Sequence, residues 1–198
     1  MRGAVKFLVF LSLLAVLLFI VWSRSSALLN NLGNRYYESA NYKEAIRFYE
    51  MAIKISPDSW VPHLGLAQAY SKVGDYDMAI NGFERTLRLN PASLDALKCL
   101  SRIYADRKDY EKALYLLRNR RDPGLVDSAL YVCSIYSADT VNEAAALLSK
   151  GDSKGASALL INLLTHCEGN PGVYYTLGMA YFYSQDLDNA QQYLKKAL

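Results

Sequence analysis

Between Leu29 and Pro57 apolar and aromatic residues recur at helical spacing, with one break near Ala40-Asn41. The pattern predicts two short amphipathic helices joined by a tight turn. The same pattern returns downstream at a regular period of about 34 residues. Leu32, Gly33 and Tyr36 align with Leu66, Ala67 and Tyr70, and then with Leu100, Ser101 and Tyr104. In the following helix Ala45 aligns with Ala79 and Ala113, and Tyr49 with Phe83 and Leu117. The turns read SANY, VGDY and RKDY, and Pro57 aligns with Pro91. A last unit starts near Pro171 and carries Tyr174, Leu177, Gly178, Tyr181, Ala190, Leu194 and Ala197.

Each recurring residue type has a packing role. Gly, Ala or Ser on the first helix and Ala on the second let the two backbones approach closely. Tyr and the larger apolar residues fill the space between neighbouring pairs. Pro ends a helix and turns the chain into the next unit. One pair cannot bury its own apolar face, so pairs must stack.

Residues 124–170 break the period. Gly151, Asp152 and Ala156 stand in register with Gly74, Asp75 and Ala79, which predicts a turn and a second helix. The helix before it is either 140–150, capped by Asp139 or Thr140, with an extra helix at 125–137, or one long helix. The absence of Pro and Gly from 125 to 150 favours the long one.

A different pattern precedes the repeats. Residues 7–22 are apolar except Ser12, and thirteen of them are Leu, Ile, Val or Phe. At about −0.4 kcal/mol each, membrane insertion is favourable by roughly 5 kcal/mol. Arg2, Lys6 and Arg24 flank the run, and Trp22 suits a lipid interface. The expectation is a transmembrane signal-anchor over residues 1–25, with lipid contact at 7–22 and the rest of the chain extracytoplasmic, facing the periplasm of a bacterial inner membrane. A signal peptide cleaved near Ser25-Ser26-Ala27, giving a secreted protein, is the alternative.

The repeat pattern resembles the tetratricopeptide repeat (TPR). The resemblance covers 26–127 in three units and about 171–198 in a last one. It implies an all-α fold, a right-handed α-solenoid of helix pairs behind the transmembrane helix. The domain at 26–198 then divides into 26–59, 60–93, 94–127, an irregular 128–170, and 171–198. The third unit departs from the family pattern, with Pro123 two positions early and Arg120 where a small residue is usual. The chain stops at position twenty-eight of its last unit, with no polar capping helix. It is then a fragment, or that end packs on a partner or on itself.

The resemblance places ligand contacts at the second, fifth, ninth and twelfth positions of each unit, along a concave groove. Here these include Asn30, Asn34 and Tyr37, then Leu64, Gln68 and Ser71, then Lys98 and Arg102, and finally Tyr175, Met179 and Phe182. Asn and Gln suit the backbone of an extended peptide, Lys and Arg a carboxylate, and the aromatic set apolar side chains. A carboxylate clamp of the chaperone-binding kind is not expected. Asn30 stands where that clamp has Lys, and Asp95 and Cys99 stand where it is basic.

Composition adds limits. Net charge is +3, with 22 basic and 19 acidic residues and no basic stripe, which argues against nucleic acid. Cys99, Cys133 and Cys167 are evenly spaced, one repeat length apart, without a CxxC. They read as small buried hydrophobes, with one disulfide open to an extracytoplasmic domain. His63 and His166 belong to no catalytic or metal signature, and no phosphate-binding motif is present. His63 reads as a packing residue. Asp75/Asp77 and Asp186/Asp188 read as caps in turns. Arg118, Arg120 and Arg121 read as a solvated helix end. The expectation is a non-enzymatic scaffold without cofactor or metal. It binds a peptide or protein partner in its groove, for assembly of an envelope complex. The alternative is a structural protein that homo-oligomerises through its repeat ends.

Overall fold

The computed structural model describes residues 2–118 and 122–198. Among these described residues ten α-helices run in chain order: α1 (Arg2–Glu38), α2 (Tyr42–Ile55), α3 (Trp60–Val73), α4 (Tyr76–Leu89), α5 (Leu94–Asp106), α6 (Tyr110–Arg118), α7 (Val126–Ser149), α8 (Ser153–His166), α9 (Pro171–Tyr183) and α10 (Leu187–Lys196). A 3-10 turn, Pro123–Leu125, leads into α7. The described residues contain no strand. The chain forms two compact units, Met1–Leu100 and Ser101–Leu198.

The corners explain the regular period. Left-handed backbone occurs at Ala40, Gly74, Lys108, Gly151 and Gln185. At each corner that residue's N–H donates to the carbonyl three residues back. The next residue's N–H donates to the carbonyl five back, as Asp75 does to Tyr70 at 3.0 Å. This is the Schellman closure of a helix C-terminus. The residue after the closure caps the following helix. Asp75, Asp109, Asp152 and Asp186 each accept from a backbone N–H three residues on, at 3.2, 3.3, 2.8 and 3.2 Å. Asn41 occupies the same position and makes no side-chain cap bond. The acidic turn residues Asp75 and Asp186 are therefore caps, as their sequence context predicts.

Small residues form the seams. Ala45 and Ala79 in the first unit, and Ala113 and Ala156 in the second, are fully buried. In the first unit the Tyr49 ring lies between Gly33 of α1 and Gly65 of α3. A Cβ on either glycine would come within 2.6 Å of Tyr49 Cε1. The ring thereby joins the first helix pair to the helix that follows it. In the second unit Leu114, Leu125, Leu160, Leu163, Val173 and Leu177 form the fully buried core.

The 125–150 segment is one long helix, α7. Asp139 and Thr140 lie inside it and do not act as N-caps. Its corner, Gly151, comes later after Lys108 than the regular period allows. The excess is about two and a half helical turns.

The membrane expectation is corrected. Among the described residues no helix is long and apolar enough to cross a membrane. This contradicts the single-pass membrane localisation with a periplasm-facing repeat domain, and leaves the transmembrane anchor and its lipid contact at 7–22 without support. Within 7–22 the side chains of residues 7–9, 15, 17, 18 and 20–22 lie outside the described residues. The backbone there runs without a break into the first repeat, since α1 is one 37-residue helix. The flanking side chains of Arg2, Lys6, Trp22 and Arg24 lie outside the described residues, as do Arg120 and Arg121 of the basic run.

Candidate functional site

In the first unit, Asn30, Asn34 and Tyr37 share α1, while Leu64, Gln68 and Ser71 share α3. Lys98 lies on α5. The spacing of three or four residues puts each set on one helix face. α1 packs on α2, and both α1 and α2 meet α3, so the two sets belong to one packed body.

Asn30 is 8% exposed, and its Oδ1 is buried without a hydrogen-bond partner. One turn earlier Ser26 Oγ donates to the Ala52 carbonyl at 3.1 Å, so this face is tied to α2. Asn34 is exposed and accepts from the Tyr49 hydroxyl at 2.8 Å. That bond occupies its carbonyl oxygen. Burial raises the Tyr49 pKa to about 12, with Tyr37 and Glu38 adding to the shift. Burial also raises that of Tyr37, helped by Tyr42 and Cys99. Both phenols therefore stay neutral donors at physiological pH. Leu64, Gln68, Ser71 and Lys98 are half-buried.

In the second unit the remaining candidates do not form one group. Arg102 is exposed near the end of α5, its guanidinium 5.7 Å from the Tyr131 ring centre on α7. Tyr175, Met179 and Phe182 lie together on α9, with Tyr175 and Phe182 more than half exposed. Arg102 thus stacks on a residue that the sequence does not single out.

Two clusters in the second unit were not legible as sites. The first is a disulfide, Cys133–Cys167, with Cα atoms 5.6 Å apart. Cys133 lies about as far before the Gly151 corner as Cys167 lies after it, which brings them level across the α7–α8 hairpin. Their even spacing along the chain was the available signal. Cys99 remains a thiol. The second cluster centres on Asp139. It accepts from the Tyr110 hydroxyl at 2.6 Å and pairs with Lys108 Nζ at 2.9 Å. These bonds, that from Tyr110 foremost, lower the Asp139 pKa. Burial and the bond to Asp139 raise that of Tyr110. Tyr110 stacks on Tyr136 at 4.7 Å, fastening α6 to α7.

The histidines have structural neighbours. His63 Nε2 lies 3.0 Å from the Pro57 carbonyl, in keeping with a packing role. His166 Nδ1 lies 2.9 Å from Thr165 Oγ1. Among the described residues no group of three or more His, Cys, Asp or Glu side chains is arranged to hold a metal ion.

Antiparallel helix pairs with alanine seams, repeated corners and helix-face candidate residues define a helical-repeat protein. Its repeat type follows from sequence comparison. Tetratricopeptide-repeat family models match residues 33–74, 64–125 and 171–198, so the chain carries tetratricopeptide repeats over these stretches. The TPR domain of OM64 from Arabidopsis superposes with a TM-score of 0.52 at 15% identity, covering 56% of this chain and 96% of that one. MamA superposes at 0.47 with 20% identity, covering 88% of this chain and 90% of that one. YrrB, described as a TPR protein with an unusual peptide-binding site, superposes at 0.48 with 19% identity, over 85% and 82%. The OM64 likeness concerns the fold alone, and the two lower scores add nothing to it. No curated protein matches the chain by sequence. The repeats make the chain a protein–protein interaction scaffold.

Proposed function

We propose that the first unit binds an extended peptide segment of a partner protein along the faces of α1 and α3. The observation that carries this reading is Asn34, exposed on α1 with its carbonyl held by the Tyr49 hydroxyl at 2.8 Å, so that its amide is left for a ligand. That amide fits a peptide carbonyl, and Gln68, on α3, offers both a donor and an acceptor. Asn30, the neighbouring candidate on α1, is buried and would act by shaping this face. Leu64 contributes half-buried apolar surface, and Lys98 suits an acidic side chain on the ligand. On α9 of the second unit, Tyr175, Met179 and Phe182 are proposed as an apolar contact for the same kind of partner.

The test uses the full chain and an array of immobilised extended peptides, followed by solution titration of the best binder. Asn34→Asp keeps the acceptor for the Tyr49 hydroxyl and removes the amide donor. The expected result is near wild-type thermal stability, with affinity about tenfold weaker. Gln68→Ala is expected to weaken binding by a similar factor. Equal affinity for wild type and Asn34→Asp would sink the reading.

A further inference from the structure

The second unit carries an apolar surface outside the candidate site. α7 continues N-terminally beyond the point where Cys133–Cys167 ties it to the end of α8. The turns before that point carry Val126 and Leu130, 53% and 63% exposed, four residues apart on one face. Ala129 lies beside them, half-buried. Between Asp127 and Asp139 α7 contains no charged residue, which is unusual for a water-facing helix surface. Together with Leu117 these residues line an open cleft of about 560 Å³.

The rim charges identify the occupant. α6 and α8 both pack on α7. Arg118, at the end of α6, and Glu168, just after α8, both border the cleft, as does Asp122, which accepts from the Gly124 N–H at 2.8 Å. Neither Arg118 nor Glu168 is in a salt bridge among the described residues. A partner carrying one sign of charge meets repulsion somewhere on this rim. A second copy, related by a two-fold axis through the cleft, exchanges the two rims, so each arginine meets a glutamate.

We infer that this face of α7 is a homodimer surface. A second copy of this chain covers Val126, Ala129 and Leu130 and sets Arg118 of each copy against Glu168 of the other. Such an isologous contact is self-complementary and closes at two subunits. It uses none of the residues proposed for the peptide, so either reading can fail without the other.

The experiment is sedimentation of the full, oxidised chain over a concentration series. The expected result is a monomer–dimer equilibrium with Kd on the order of 10 µM, as for a small, partly polar interface. Leu130→Arg is expected to weaken it at least about thirtyfold by placing charges at the two-fold axis. Arg118→Glu and Glu168→Arg are each expected to weaken it about fivefold, and the double exchange to return it to within about threefold of wild type. Circular dichroism confirms that each variant is folded. A chain that stays monomeric throughout the series overturns the inference. So does a dimer indifferent to Leu130→Arg, or a double exchange no better than either single change.

Discussion

The α1–α2 and α7–α8 hairpins share one corner and differ at their open ends. Both corners close with the same pair of backbone bonds around a left-handed residue, Ala40 in one and Gly151 in the other. Away from the corner, α1–α2 is held by a hydroxyl-to-carbonyl bond from Ser26 to Ala52, and by the Tyr49 ring against Gly33. The α7–α8 hairpin is held by Cys133–Cys167 and leaves two exposed aliphatic side chains beyond it. In the family pattern the first is regular and the second irregular. A standard corner thus tolerates a long insertion, provided that something other than seam packing fastens the extra length. In α7 the fastening is covalent.

The largest expected effect is at the regular hairpin. Tyr49→Ala removes a ring that is 2% exposed and wedged between two glycines. It should cost about 4 kcal/mol in denaturant unfolding, with hydrogen exchange rising first in α1 to α3. Next comes the irregular hairpin. Cys133→Ser opens a loop of 34 residues, and chain entropy puts the loss at about 3–4 kcal/mol. The same loss should follow addition of a dithiol to wild type and be absent from the variant. If reductant leaves wild-type stability unchanged, the open end of α7–α8 is held by packing alone and the contrast disappears.

A smaller, pH-dependent effect belongs to Asp139. Its pKa is lowered from an ordinary 3.8, so its contribution is present above that value. It is lost as pH falls through the lower folded-state value. Acid titration of stability should therefore show a steeper decline below about pH 4 in wild type than in Tyr110→Phe, which lacks the hydroxyl that Asp139 accepts. Parallel curves would remove Asp139 from the set of groups that fasten α6 to α7.

The smallest effects lie at the corners. Gln185 holds a left-handed backbone that glycine adopts without steric cost. Gln185→Gly should stabilise the second unit by about 0.5–1 kcal/mol. Asn41→Asp should give the first corner the cap bond its four counterparts make, a gain of about 0.5–1 kcal/mol seen as a higher Tm. A loss from both substitutions would mean that the corners are not equivalent.

The sequence by itself determined the period, the corner residues and the seams. These depend on neighbours within one helix pair, and turn chemistry and small-residue spacing report such neighbours directly. It also favoured one helix through 125–150, because no residue there breaks one. It placed the candidate faces on α1, α3 and α9, but it did not single out Asn30 from the other polar residues of the set. An unpaired oxygen is a property of everything packed around it. Only the tertiary structure decided that Cys133 meets Cys167, because that depends on how far two antiparallel helices run from their shared corner. The same holds for Asp139, whose partners come from the preceding hairpin, and for the exposed face of α7. An amphipathic pattern states which residues seek cover, and the packing of neighbouring helices decides which of them receive it.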